Sequence, residues 1–458
     1  MTSKTVRTEH DYTAELTDNG ITWDEDVTVE LKTTVVDYES CESIDKKPVP
    51  IDKMYLVYAI IMLNGVGVLL PWNMFITIAP EYYEEYWFTY NGTESKYGKQ
   101  FMTDLGIISQ IPNFLLAVLS VASVIKGALF IKIGVSLGFN CLLIGVILIF
   151  AIVKTPDEKD QGWFFAVNLA IVLLMNASNG FYQNSMFGLA ADFPFAYTNA
   201  VIVGSNLCGT FTSVMSILST LIFKTAYQKV AIVYFSISLL VLILCGFSII
   251  VMTRTEFYKY YAELGAAQRS STNAERPSLK QFWEAFKHCW IQYLNVFLVY
   301  FVTLSIFPTV LVGSFSGDTK DVVIGLAVFL NFNLFAFFGS TAANFIQIPS
   351  SKFLFIPVFL RVLFIPFFTL CAYDSFGSPD QRVMPIAFNG SVWIIIGNCI
   401  MAITSGYFSS LGMMYAPSIA PDHLKKVAGQ CAGLALVGGI MAGVAFTPVI
   451  TSMVEHIH

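Results

Sequence analysis

Charge is scarce in this chain. Of its 458 residues only 13% are Asp, Glu, Lys or Arg, about half the share a globular domain carries. Those few gather in the first fifty residues, in one central loop and at the ends of apolar runs. That distribution excludes an ordinary soluble domain. Histidine is nearly missing too, with five residues mostly in tails and loops. A membrane-embedded enzyme would need a metal cluster or a nucleophile–base pair, and the spans offer neither, so no catalytic residue and no metal is expected. Paired cysteine spacings are absent: the eight cysteines stand singly, most of them inside apolar runs (Cys141, Cys208, Cys245, Cys371, Cys399, Cys431). They read as small packing residues, not as disulfide or zinc sites. The start has no apolar core, so no secretory signal is expected.

What the chain has is apolar length. It is 55% hydrophobic, with forty Phe, twenty-one Tyr and a mean hydropathy of +0.64. Runs of roughly 20 apolar residues, enough to cross the hydrocarbon of a bilayer, recur about eleven times. Their expected limits are 54–79, 104–124, 129–153, 162–190, 196–223, 230–252, 289–314, 321–346, 352–372, 385–415 and 425–453. The fold class is therefore all-α and polytopic, embedded in a lipid bilayer. Residues 1–53 form an acidic tail expected to be disordered, because it holds too little apolar surface to offset chain entropy. A six-helix bundle is expected over 54–252, a cytosolic loop over 253–288 and a five-helix bundle over 289–458.

Orientation follows from Lys and Arg in the loops, not from net charge. With the N-terminus in the cytosol, the inward loops carry Lys126, Lys132, the basic 253–288 segment, Lys352 and Lys425-Lys426. "KTAYQK" after the fifth run is basic yet outward, an exception. Asn91-Gly92-Thr93, an N-glycosylation acceptor, then falls outside, and eleven spans leave the C-terminus extracellular. In the central loop, "PSLKQFWEAFKHCW" opens with a capping-box pattern, Ser278 to Gln281. Leu279, Phe282, Trp283, Phe286 and Trp290 share one helical face, which predicts a helix on the cytosolic surface leading into the seventh span.

Inside the spans ionisable residues are almost missing; only Arg361 is clearly internal, which disfavours a proton pump. Neutral amides take their place: Asn64 and Asn73 in span one, Gln110 and Asn113 in span two, Asn176, Asn179, Gln183 and Asn184 in span four, Asn206 in span five, Asn331 and Asn333 in span eight. An amide holds both donor and acceptor and can read a heterocycle edge without charge. Any one of them can instead be interhelical glue, worth about 0.6 kcal/mol per contact. So many in five spans favour a shared polar cavity. The apolar first run also contains "LLPWNMF", where Pro71 loosens the helix beside Trp72 and Asn73.

Taken in order, "GVGVLLPWNMF", "SQIPN", "GFYQNSMFGLAA", "GSNLCGTF", "FNLFAFFGS", "RVLFIPFF", "SGYFSSLGMMYAP" and the glycine-rich last span resemble the equilibrative nucleoside transporters from about residue 54 to the end. The resemblance implies a six-plus-five fold related to the major facilitator architecture, and passive, sodium-independent movement of nucleosides by alternating access. It implies no cofactor, a small-molecule partner and not a nucleic-acid polymer, a monomer, and the plasma membrane as the default location. By the resemblance Trp72 is the cavity tryptophan and Gln183 the glutamine that bonds the base, with Ser185 its neighbour. Leu69 and Ile76 fall on apolar cavity or outer-gate positions of the same helix. Phe307-Pro308 is similar to part of the outer gate. Phe329 and Asn333 match lining positions in span eight, Ile440 one in span eleven, and Gln110 and Asn113 are candidate contacts.

The pattern breaks in span eight. Where the family carries an aspartate and, four residues on, an arginine that hold the sugar, this chain has Ala336 and Ser340. Losing both leaves no unpaired buried charge, but it opens an alternative, a nucleobase or other organic-solute carrier of the same fold. Restoring Asp and Arg at these positions is expected to increase nucleoside preference. A monoamine carrier lacks an anionic residue deep in the spans, and a non-transporting receptor lacks a signalling domain.

Overall fold

The computed structural model describes residues 5–7, 13–15, 49–90, 92–121, 129–223, 226–270, 279–315, 321–372 and 382–456. Asn91, the capping-box Ser278 and nearly all of the acidic tail lie outside these residues. Six long helices come first: α1 Leu56–Ile78, α2 Lys96–Val121, α3 Leu129–Val153, α4 Gln161–Ala190, α5 Phe195–Phe223 and α6 Tyr227–Thr253. A shorter helix follows, α7 Glu256–Ser270. The second group is α8 Leu279–Ile306, α9 Asn331–Ala342 behind a π-helical stretch Gly325–Leu330, α10 Phe355–Thr369, α11 Ser391–Ile419 and α12 Lys425–His456. Ten of the described helices are long and apolar enough to cross a membrane. In lipid a helix satisfies its own backbone, which is why such sequences take this form.

The ninth apolar run is the exception. It forms only the short helix Phe355–Thr369, about 22 Å long at the α-helical rise. A 3-10 turn at Arg361–Leu363 interrupts it. Pro366 has no N–H for the carbonyl one turn back, and Pro357 imposes the same limit earlier. Arg361 is buried here. Its guanidinium donates to the Met401 carbonyl (3.0 Å), to Thr303 Oγ1 (2.6 Å) and to Thr404 Oγ1, which ties spans seven, nine and ten together.

Two further differences lie in the central segment. The amphipathic stretch after Leu279 is not a separate surface helix but continues unbroken into span seven as α8. Its Trp283, Phe286 and Trp290 are exposed. The helix α7 was not anticipated, because its tyrosines and charges blur the apolar period. It lays Phe257 and Tyr261 on Phe193 and Tyr197, with Phe257 stacked on Phe193 at 5.9 Å.

Close backbone approach organises the first lobe. A side chain at Gly204 would strike the Met62 carbonyl, and one at Gly65 the Val201 carbonyl, so α1 and α5 touch backbone to backbone. Asp52 starts α1 by accepting the Val57 and Tyr58 amides at 3.0 and 3.1 Å, which satisfies two orphan donors. It also accepts the Tyr197 hydroxyl at 2.9 Å. We call this end the base and the opposite end the mouth.

The apolar core is not one body. A large cluster spans the first lobe and continues into the base halves of the second lobe, through Ala285–Val296 of α8, Met413–Ala420 and Leu424–Val437. The mouth half of the second lobe has its own cluster, with Val302, Ile306, Met401, Ile450 and Val454. The large cluster joins the lobes at the base, where the second lobe also has a smaller cluster of its own with Val299, Ala343, Leu354 and Leu411. At the mouth the second lobe's cluster is separate.

Candidate functional site

Helix α1 carries the first clue. From Ile60 to Ala79 it has no exposed residue, so it has no lipid-facing side. Yet Met62, Val66, Leu69, Trp72 and Ile76 are only half-buried. Their spacing of three and four residues places them on one helical face. A half-open stripe on an interior helix faces space inside the bundle. Pro71 sits on the buried side of the same turn, and Asn73 turns to α5, where its amide meets Cys208 Sγ at 3.5 Å.

Helix α4 packs beside it, joined by the Tyr182 hydroxyl donating to Asn64 Oδ1 at 2.7 Å. The next residue, Gln183, is only 6% exposed. Among the described residues it has no hydrogen-bond partner, and its amide is not one of the sealed orphan groups. That amide therefore reaches open space within the bundle. Gln110 on α2 is half-buried and likewise unpartnered among the described residues. Trp72 stands eight residues mouthward of Asn64 on α1, about 12 Å at the helical rise, and Gln183 follows the Tyr182 that bonds Asn64.

Most other amides act as glue. Asn64 also bonds the Ile60 carbonyl and Ser248, and Asn140 donates to Asn179 at 3.0 Å. Asn184 donates to the Ala117 carbonyl, Asn206 to the Ala336 carbonyl and Asn176 to its own helix. Asn333 donates to Ser213 Oγ at 3.1 Å and to the Phe329 carbonyl at 3.0 Å, which holds α9 against α5. Asn113 Oδ1 and Ser185 Oγ are sealed without a partner. Ser340 is fully buried, with its hydroxyl returned to the Phe337 carbonyl at 3.0 Å.

The remaining expected residues divide between the lobes. Leu69 and Ile76 pack on the first lobe's core, as does Ile440 of α12 from its partly buried position. Phe307 stacks on Phe332 at 4.1 Å and meets Phe329 edge-on at 5.7 Å, all within the second lobe. Ile76 and Phe307 thus each pack within their own lobe. At the base the lobes are bonded to each other. Asn199 donates to the Ser340 carbonyl (2.7 Å) and to Asn344 Oδ1 (3.0 Å), and Asn344 donates to Tyr58 (2.9 Å).

A residue not singled out from the sequence joins this set. Gln430 of α12 is 4% exposed and unpartnered among the described residues; a lone amide in a glycine-rich apolar span was the available signal. Two surface concavities lie elsewhere. One of about 270 Å³ opens at the base between Phe193, Tyr261, Met414 and Lys425. The other, about 330 Å³, is an apolar groove on α10 and α11 lined by Leu363, Phe364 and Trp393. Neither includes Trp72 or Gln183. None of the residues on the interior stripe or beside it is ionisable. Such a surface can bind a neutral, flat, hydrogen-bonding molecule and has no group for acid–base chemistry.

A family model described as nucleoside transporter matches residues 169–281 and 264–452. Equilibrative nucleoside transporter 3 of Rattus norvegicus is 25% identical, over 86% of this chain and 89% of its own length. Equilibrative nucleoside transporter 1 of Rattus norvegicus is 26% identical, over 84% of this chain and 96% of its own. Equilibrative nucleotide transporter 1 of Arabidopsis thaliana is 24% identical, over 87% and 86%. Among solved structures, the major facilitator proton:xylose symporter XylE superposes with a TM-score of 0.57 at 12% identity, over 89% of this chain and 92% of its own. The human organic anion transporter MFSD10 gives 0.53 at 17% identity, over 89% and 96%. At such identities these two structures speak to the fold alone.

Proposed function

The chain belongs to the nucleoside transporter family, and on that premise we propose that it is a passive, sodium-independent facilitator of nucleosides working by alternating access. It is an integral membrane transporter, not an enzyme. The observation that carries the finer reading is the half-open stripe Leu69–Trp72–Ile76 on an interior helix, with the unpartnered Gln183 amide on the neighbouring helix. Trp72 gives a flat face toward the mouth, and Gln183 gives donor and acceptor toward the base. A site without charge suits an uncharged solute that must leave as readily as it enters. The shared core at the base and separate cores at the mouth support a state open toward the mouth. Rocking of α1–α6 against α8–α12 would then part the base and bring Ile76 and Phe307 together.

The basic loops favour a cytosolic base, which puts the mouth outside, with the plasma membrane as default location and a monomer as the unit. A second reading, a nucleobase carrier of the same fold, is favoured by one observation: Ala336 and Ser340 are buried and uncharged.

Uptake of adenosine, uridine, hypoxanthine and a monoamine into proteoliposomes tests this. Wild-type protein should equilibrate nucleosides without accumulating them. The rate should stay flat between about pH 6 and 8, since no site residue titrates there. Trp72→Ala and Gln183→Leu should each raise KM about tenfold, the loss expected of one ring or amide contact. Accumulation driven by sodium or protons, or unchanged kinetics in both variants, would overturn the reading. Preference for hypoxanthine alone would select the nucleobase carrier.

A further inference from the structure

A small polar cluster at the base joins the two lobes, and reading the solute gives it no role. We propose that Asn344, in the turn after α9, is the clasp that keeps the base shut, and that its bonds to Asn199 and Tyr58 are broken each time the base opens. The proposal rests on the alternating-access reading above.

Four observations carry it. Asn344 accepts from Asn199 of α5 at 3.0 Å and donates to the Tyr58 hydroxyl of α1 at 2.9 Å, so one second-lobe amide stitches two first-lobe helices. Asn199 is fully buried and donates also to the Ser340 carbonyl at 2.7 Å. The clasp is braced from the first lobe: the Tyr58 ring meets Tyr197 edge-on at 5.8 Å, and the Tyr197 hydroxyl donates to Asp52, which starts α1. Along α5, Asn199, Asn206 and Ser213 recur every seven residues, on one helical face, and each bonds the second lobe. Of these rungs the one at Asn199 stands at the base end of the helix. Parting the base draws the mouth together, so that motion pulls the Asn199 rung open and not the one at Ser213.

A seam that never opened would be better served by apolar side chains. Asn199 Oδ1 is sealed without a partner, a penalty that an apolar group of the same size avoids. A seam that opens is different. When an apolar contact parts, its surface meets water at the full hydrophobic cost. Amides and a phenol instead exchange their bonds for bonds to water almost evenly, and opening also hydrates the sealed oxygen. Neutral groups leave no charge buried while the clasp is shut. Each bond then moves the balance between shut and open only about fivefold, which lets both states stay populated.

The test is labelling of Ser340→Cys by a membrane-impermeant thiol reagent applied from the base side, read above the background of the native cysteines. Ser340 is fully buried and its carbonyl is bonded by Asn199, so the labelling rate reads how often the base opens. Asn344→Ala removes two bonds and should raise that rate roughly 25-fold, and Tyr58→Phe, which removes one and keeps the ring, about fivefold. Tyr58→Phe carries the test alone should Asn344→Ala fail to fold. Asn344→Asp can accept from both Asn199 and the Tyr58 hydroxyl and should label no faster than the parent. With Asn199→Cys and Asn344→Cys together, a disulfide or a short bifunctional thiol reagent should stop nucleoside uptake until the link is cleaved, while Leu69→Cys still labels from the mouth. No rise in either bond-removing variant, an equal rise in Asn344→Asp, a pair that does not cross-link, or uptake through a cross-linked pair overturns the proposal. Wild-type protein that carries no nucleoside overturns the transport reading instead, and the labelling rates still decide the clasp.

Discussion

Ala336 and Ser340 show how far a residue's meaning depends on what surrounds it. Read as letters, they are the places where a lost acid and base could be put back to strengthen sugar recognition. In the fold, Ala336 is 2% exposed, and its carbonyl lies so near Gly406 of α11 that a side chain there would collide with it. Its neighbour across the seam, Asn206, also bonds that carbonyl. Replacing both residues at once, Ala336→Asp with Ser340→Arg, would force two larger, charged groups into this crossing. Overpacking alone costs about 1–3 kcal/mol, and burying charge adds to that. The double variant is therefore expected to melt several degrees lower in detergent and to gain no nucleoside preference. An unshifted melting curve together with a sharpened preference would show that the crossing yields. The amides teach the same lesson. Gln183 and Asn184 are adjacent and alike in the sequence, yet one is unpartnered and the other is bonded to Ala117.

Helices are the scale at which the sequence was most legible. Length and apolarity set out α1, α3 to α6 and α12 nearly to their limits, because lipid leaves a backbone few alternatives to a helix. By contrast, α2 and α8 begin earlier than expected and α9 is shorter. Gly65 and Gly204 are where α1 and α5 meet. Gly204→Ala should therefore cost at least about 1–3 kcal/mol by overpacking, read as a lower melting temperature of the purified protein. Gly246→Ala, where a Cβ would meet nothing within 4 Å, is the matched control and should leave it unchanged. Equal melting temperatures for the two variants would mean that the helices are not in contact as described. Less legible were α7, whose polar face gives no membrane signal, and α10, where Pro357 and Pro366 cut an apolar run short. The continuity of α8 through the membrane boundary was hidden by an amphipathic pattern that a separate surface helix would share.

Across the whole molecule, one large apolar cluster joins the two lobes at the base, and at the mouth the second lobe's cluster is separate from it. In the proposed reading the stripe on α1 opens into the space between the lobes. Its spacing was visible in the sequence, but its orientation was not, since a periodic face looks the same whether it meets lipid, core or a chamber. Burial favours a chamber: the helix has no exposed residue there, yet Leu69 and Trp72 are half-buried. The most direct measurement is the alkylation rate of Leu69→Cys by a membrane-impermeant thiol reagent, read above the background of the native cysteines. Those within the described residues are all buried or partly buried. A watery, solute-holding chamber predicts steady labelling from the mouth side that a saturating nucleoside slows at least about tenfold, by occupying the site. Labelling that nucleoside leaves untouched, or that only a lipid-soluble reagent achieves, would contradict it.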